Sequence, residues 1–204
     1  MKTNYSKLAT VLLILFVYCG MAMSQQNYAV ITAVSSVSIK GTSTLHPWSM
    51  EGHDLTCNTN ADIKKTNLNK ITDVNFSCKV DKLTSTEGSS MDAKAHEALK
   101  SDKFPLITFK SQDITGLVIT DDKFTGNLTG LLTIAGNSKI VNIPFSGKVV
   151  NDNHWNVKGS VKIKMTDFHV DPPTAFLGAM KTGDEVTLNY TFDFNKSHEL
   201  SESK

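Results

Sequence analysis

The chain has 204 residues, with 21 basic and 20 acidic side chains and a 40% share of hydrophobic residues. None of the basic residues is arginine and no lysine run stands out. The planar fork that reads phosphates and base edges is therefore missing, which argues against nucleic acid as a partner.

Lys2 and Lys7 precede an apolar run from Leu8 to Val17, and Ala22-Met23-Ser24 places small residues at the two cleavage-recognition positions. The pattern predicts a signal peptide over 1–24, with export to the periplasm or the medium and Gln25 as the first mature residue. The run is too short for a stable membrane span. Cys19 offers a lipoprotein alternative, against which Tyr18 argues, because the position before an acylated cysteine needs a small residue. Without Lys2 and Lys7, 19 basic residues face 20 acidic ones, a net charge of about −1. The mature length suits one all-β domain over 25–196, with a polar tail at 197–204.

Strands are predicted at 34–41 and 48–59, the second opening on His46-Pro47-Trp48. Trp48 shares a face with Met50, either plugging a barrel end or walling a ligand. A strand at 70–81 follows, after a turn at Lys65 to Lys70. That hairpin sets Cys57 opposite Cys78, which in an exported chain suggests a structural disulfide contributing roughly 3 kcal/mol; two buried free thiols are the alternative. Ser89 to Lys100 (SSMDAKAHEALK) reads as a helix, capped by Ser89 or Ser90, with Met91, Ala95 and Leu99 on one face. A strand at 106–115 follows, with Ile107 and Phe109 inward.

The second half alternates with period two, which on a strand gives one dry and one wet face. The dry positions run Phe124, Gly126, Leu128, Gly130, Leu132, Ile134 in a strand at 122–134. Val141, Ile143, Phe145, Gly147 and Val149 mark a strand at 139–149, in which Pro144 calls for an edge, a bulge or a shorter strand. Trp155, Val157, Gly159, Val161 and Ile163 mark 154–164; Val186, Leu188, Tyr190, Phe192 and Phe194 mark 184–194. Eight strands joined by short turns predict an antiparallel sandwich or closed barrel. Inward Gly126, Gly130 and Gly159 remove volume from the core and hint at a cavity, so that bulk at Gly130 is expected to block uptake of a ligand.

Between the last two strands, 165–183 contains Asp171-Pro172-Pro173 and cannot be a central strand. It reads as a long loop over one mouth, carrying Phe168 and Phe176, with one short helical turn at Thr174 to Met180. His169 in this loop is assigned a structural hydrogen bond. The six histidines form no ligand-spaced cluster, and no hydrolase elbow or phosphate-binding loop is present. No metal, cofactor or catalytic residue is expected.

Four blocks then carry a family resemblance: Gly41 to Trp48 (GTSTLHPW), Met91 to Ser111 (MDAKAHEALKSDKFPLITFKS), Leu128 to Lys139 (LTGLLTIAGNSK), and Phe168 to Val186. Together they resemble the YceI-like family. The resemblance implies a lipocalin-like barrel with a helix near one end, whose apolar tunnel holds an isoprenoid chain of the polyprenyl or quinone type, and a possible homodimer. The lining would comprise Trp48, Met50, Ile107, Phe109, Gly126, Leu128, Gly130, Leu132, Phe145, Val157, Gly159, Val161, Phe168, Phe176, Leu188 and Tyr190. Many relatives carry an arginine before the long loop, where this chain has Lys164-Met165-Thr166, so a diphosphate head would rest on lysines or backbone amides. An interaction domain whose barrel is filled by its own aromatics is the rival reading.

Overall fold

A computed structural model describes residues 25–175 and 178–197. Its strands are β1 (Gln26–Val30), β2 (Ser36–Gly41), β3 (Trp48–Gly52), β4 (Leu55–Lys64), β5 (Asn67–Lys79) and β6 (Leu83–Ser85). Helix α1 (Ser89–Ala98) follows, then β7 (Leu106–Thr120), β8 (Lys123–Ile134), β9 (Asn137–Asn151) and β10 (His154–Lys164). A small ribbon of β11 (Thr174–Ala175) and β12 (Met180–Lys181) precedes β13 (Glu185–Lys196).

Eight strands close an antiparallel ring in the order β1, β4, β5, β7, β8, β9, β10, β13, and β13 returns to β1 through Tyr28–Lys196 and Val30–Phe194. Higher on β13 the partner changes to β2, which carries β3 and β6 outward as a flap of sheet. Helix α1 hangs from that flap. Asp92 accepts the Ser85 amide at 2.7 Å, and His96 Nε2 lies 2.9 Å from the Leu83 carbonyl. No α1 side chain is fully buried, and Met91, Ala95 and Leu99 lean on the core from the predicted face.

The two ends of the ring differ. At the lower end Trp155 stacks on Phe194 with centroids 4.3 Å apart, and Tyr28 and Phe124 close around the pair. Tyr28, Phe124 and Phe194 are among the largest side chains excluded from solvent, and the Tyr28 hydroxyl donates to the Asp152 carbonyl at 2.6 Å. Each such aromatic contact adds about 0.5–1.5 kcal/mol beyond its buried area. That end is a solid plug.

Several sequence expectations change. The β1 strand was not predicted, and the strand expected over 48–59 breaks at His53-Asp54, where Asp54 adopts φ 54°. Helix α1 is capped by the backbone of Gly88, at φ 95°, with no side-chain cap from Ser89 or Ser90. Thr174 and Met180 belong to the β11–β12 ribbon, not to a helical turn. The long loop is tied to the β2–β3 connection: Thr44 N donates to the Lys181 carbonyl and Gly183 N to that of Thr42. His169 exposes its side chain and holds its backbone in the left-handed region at φ 53°, without the expected hydrogen bond to its ring among the described residues.

Pro144 occupies the interior of β9, yet at an edge of pairing. Hydrogen-bonded pairing between β9 and β10 ends at Phe145–Gly159. Beyond it no amide is required of residue 144, and the Pro144 carbonyl accepts the Tyr190 hydroxyl at 3.2 Å.

Cys57 and Cys78 are free and buried, not bridged. The hairpin turns tightly at Lys65-Thr66 and carries two register shifts, so Cys57 faces Phe76 and Cys78 faces Leu55. Diagonal neighbours of that kind sit roughly 7–8 Å apart, outside the usual Cα span of a disulfide.

The inward glycines are not open space. Each receives an aromatic ring from a neighbouring strand: Phe145 covers Gly126, Phe109 covers Gly130, Phe124 covers Gly147 and Tyr190 crosses Gly159. A Cβ at Gly130 would also press on the Lys110 carbonyl at 2.5 Å, so bulk there disturbs the wall before it reaches any ligand. Gly147 gives the clearest test, because a Cβ would strike the Phe124 ring and sit 2.5 Å from the Asn156 carbonyl. Gly147→Val is expected to cost about 2–3 kcal/mol, read as a lower urea midpoint at unchanged slope; an unchanged midpoint would contradict this packing.

Candidate functional site

Above the plug the interior is hollow. An upper cavity of about 360 Å³ lies between the flap, α1 and the long loop. A lower cavity of about 120 Å³ lies beneath it and ends on Trp155 and Phe194. Val37, Phe76, Leu132 and Leu188 line both, so the two meet at a waist of four apolar side chains.

Of the predicted lining, Trp48, Met50, Ile107 and Phe168 face the upper cavity. Phe109, Leu128, Phe145, Val157, Val161 and Tyr190 face the lower one, and Leu132 and Leu188 face both. Gly126, Gly130 and Gly159 lie under aromatic rings and form no part of the surface, and Phe176 lies outside the described residues. Trp48 lies over Gly41 and donates its indole N–H to the Thr42 carbonyl at 3.0 Å, so one side chain both braces the mouth and walls the cavity.

The periodic reading missed three groups of lining residues. Phe76, Val74 and Ile71 come from β5, where the inward positions run Leu68, Ile71, Val74, Phe76, Cys78, a spacing broken by bulges and by Asp73 at φ 56°. Val37 and Ile39 come from β2, which lies in the predicted 34–41 strand but was not read as lining. Met91, Ala95 and Leu99 of α1 form the third group: their shared face was visible in the sequence, but its target was not.

The charged groups of the lining gather at the mouth. His46 Nε2 lies 3.6 Å from Glu87, and Ser43, Lys94 and Lys181 complete the rim. Below the rim the wall is mostly apolar, interrupted by Thr59, Asn189 and Tyr190, and the thiols and the phenol there are held neutral. Burial pushes the Cys57 thiol up to about 12; burial, with Asp54 and Asp81 nearby, pushes Cys78 up to about 11. Burial also raises the Tyr190 hydroxyl. A thiol so protonated is a poor nucleophile, and the wall offers chemistry for solvation of an apolar chain rather than for bond making.

A YceI-like domain model matches residues 28–194. The chain belongs to the YceI-like family. Among proteins with curated functions, none matches this YceI-like sequence.

Solved structures show the same fold. A polyisoprenoid-binding domain from Saccharophagus degradans, implicated in plant cell wall breakdown, superposes with a TM-score of 0.65 at 9% identity, covering 83% of this chain and 98% of that one. BcnA of Burkholderia cenocepacia gives 0.62 at 19% identity over 80% and 98% of the two chains. The YceI protein of Campylobacter jejuni gives 0.55 at 20% identity over 73% and 85%. At these identities the likeness is one of fold.

The two thiols make stability depend on alkaline pH. Their folded pKa values lie above the ordinary value of 9.0, so the protonated thiol is the form the fold prefers. The associated stability is complete below pH 9.0 and is lost as pH rises through about 11 and 12. The urea midpoint is expected to fall across that window, and to fall less in the Cys57→Ala/Cys78→Ala double variant; equal slopes would contradict the burial. At pH 8 neither native thiol should react with a disulfide reagent, while both react on unfolding.

Proposed function

We propose that this YceI-like barrel is a non-enzymatic binder and carrier of an apolar lipid, of the isoprenoid-chain class, acting in the periplasm or outside the cell. One observation carries the reading: a hollow of about 360 Å³, walled by apolar side chains, lies under a helix that buries no side chain of its own. A barrel filled by its own aromatics would have no such space. The polyisoprenoid-binding neighbour supports the ligand class, and the leader-like pattern over 1–24 supports the location.

The energetics fit a lipid without a specific motif. Each methylene moved from water into the cavity contributes about 0.8 kcal/mol, so a chain of modest length binds through area alone. On this reading the chain's polar head lies at the mouth, which Ser43, His46, Glu87, Lys94 and Lys181 line.

Helix α1 supplies the test. Ala95 lines the upper cavity from a helix on which no side chain is fully buried. Ala95→Trp is expected to weaken saturable binding of an apolar fluorescent probe by roughly tenfold or more while leaving the free energy of unfolding in urea within about 1 kcal/mol of wild type. Wild-type protein that shows no saturable probe binding would favour the self-filled interaction domain.

A further inference from the structure

We infer that the lower cavity is a terminal compartment that selects the length of the bound chain, with the waist as its entrance and the aromatic plug as its stop. The inference rests on the lipid-binding reading and adds which lipids fit. Three features on the molecule support it.

The first is the waist. Val37, Phe76, Leu132 and Leu188 are shared by both cavities, so a chain reaching the lower one passes between them. Phe76 is held by stacking on Phe192, with centroids 5.7 Å apart and 28° between planes, so it narrows the passage from a fixed position.

The second is the stop. The lower cavity ends on Trp155 and Phe194, stacked at 4.3 Å, and Tyr28 and Phe124 seal the space behind them at 1% and 2% exposure. A chain that arrives there cannot continue downward without displacing the plug.

The third is the volume. A dry apolar cavity of roughly 150 Å³ accepts one benzene, about six carbons. On that scale the 120 Å³ below the waist takes roughly one five-carbon isoprene unit, and the 360 Å³ above it roughly three. A chain of about four units fills both spaces, a chain of about three stops at the waist, and a longer chain leaves its excess outside the mouth.

Competition of farnesol, geranylgeraniol and solanesol against a bound apolar fluorophore tests this. Wild-type protein is expected to prefer geranylgeraniol over farnesol by roughly tenfold or more, with solanesol binding no tighter than geranylgeraniol. Leu188→Trp, and independently Val37→Phe, should erase that preference, weakening geranylgeraniol by roughly tenfold or more and farnesol by clearly less. Two waist variants guard against one failing to fold, and circular dichroism reports on each. The inference is overturned if both folded variants keep the preference or lose both alcohols equally, or if affinity in the wild type climbs on to solanesol. Absence of binding by all three alcohols would overturn the lipid reading itself, and the length selection with it.

Discussion

The stacking of Trp155 on Phe194, with Tyr28 and Phe124 closing around it, is the contact on which the barrel's asymmetry depends. A ring of eight strands is just wide enough either to be filled by its own side chains or to hold one small ligand, so the placement of the large rings decides which end is solid. This chain spends its large rings at the lower end. What remains above is lined mainly by Val, Ile, Leu, Met and Ala, with Trp48, Phe76 and Phe168 set into its wall, and the upper cavity is the space these side chains leave. A helix docked by two hydrogen bonds, and a loop tied to the β2–β3 connection, then cover the space without filling it.

The glycines serve this division of volume in a way opposite to their first reading. A glycine facing inward suggests emptiness, yet Phe145, Phe109, Phe124 and Tyr190 lie across Gly126, Gly130, Gly147 and Gly159. Removing the Cβ lets a ring lie flat against the wall rather than project to the axis. Tyr190 shows the principle in full: its ring crosses Gly159 and its hydroxyl donates to the Pro144 carbonyl, just beyond the end of the β9–β10 register. The width of the cavity is set by rings turned aside.

Much of this was legible in the sequence, because period-two alternation is a direct consequence of strand geometry. It located β8 to β10 and β13, and the SSMDAKAHEALK pattern located α1. Failures came where the period breaks. β1 is five residues long and carries one buried side chain, Tyr28, too little signal to stand beside an apolar leader. The β5 strand shifts phase at bulges that no local residue announces, which hid Phe76 as lining, and the tight turn at Lys65-Thr66 leaves Cys57 two residues away from its expected partner even after those shifts. The covering of glycines by rings depends on cross-strand register, and register is a property of pairs of segments. Sequence read one segment at a time does not contain it.

The central claim is that the upper hollow is built for an apolar chain. The most direct measurement is solvent extraction of the natively purified protein, with mass spectrometry of what is released and quantitation per barrel. The account predicts an isoprenoid-chain lipid at close to one per barrel. A protein that releases no lipid, and that takes up none when offered polyprenols and quinones, would contradict it.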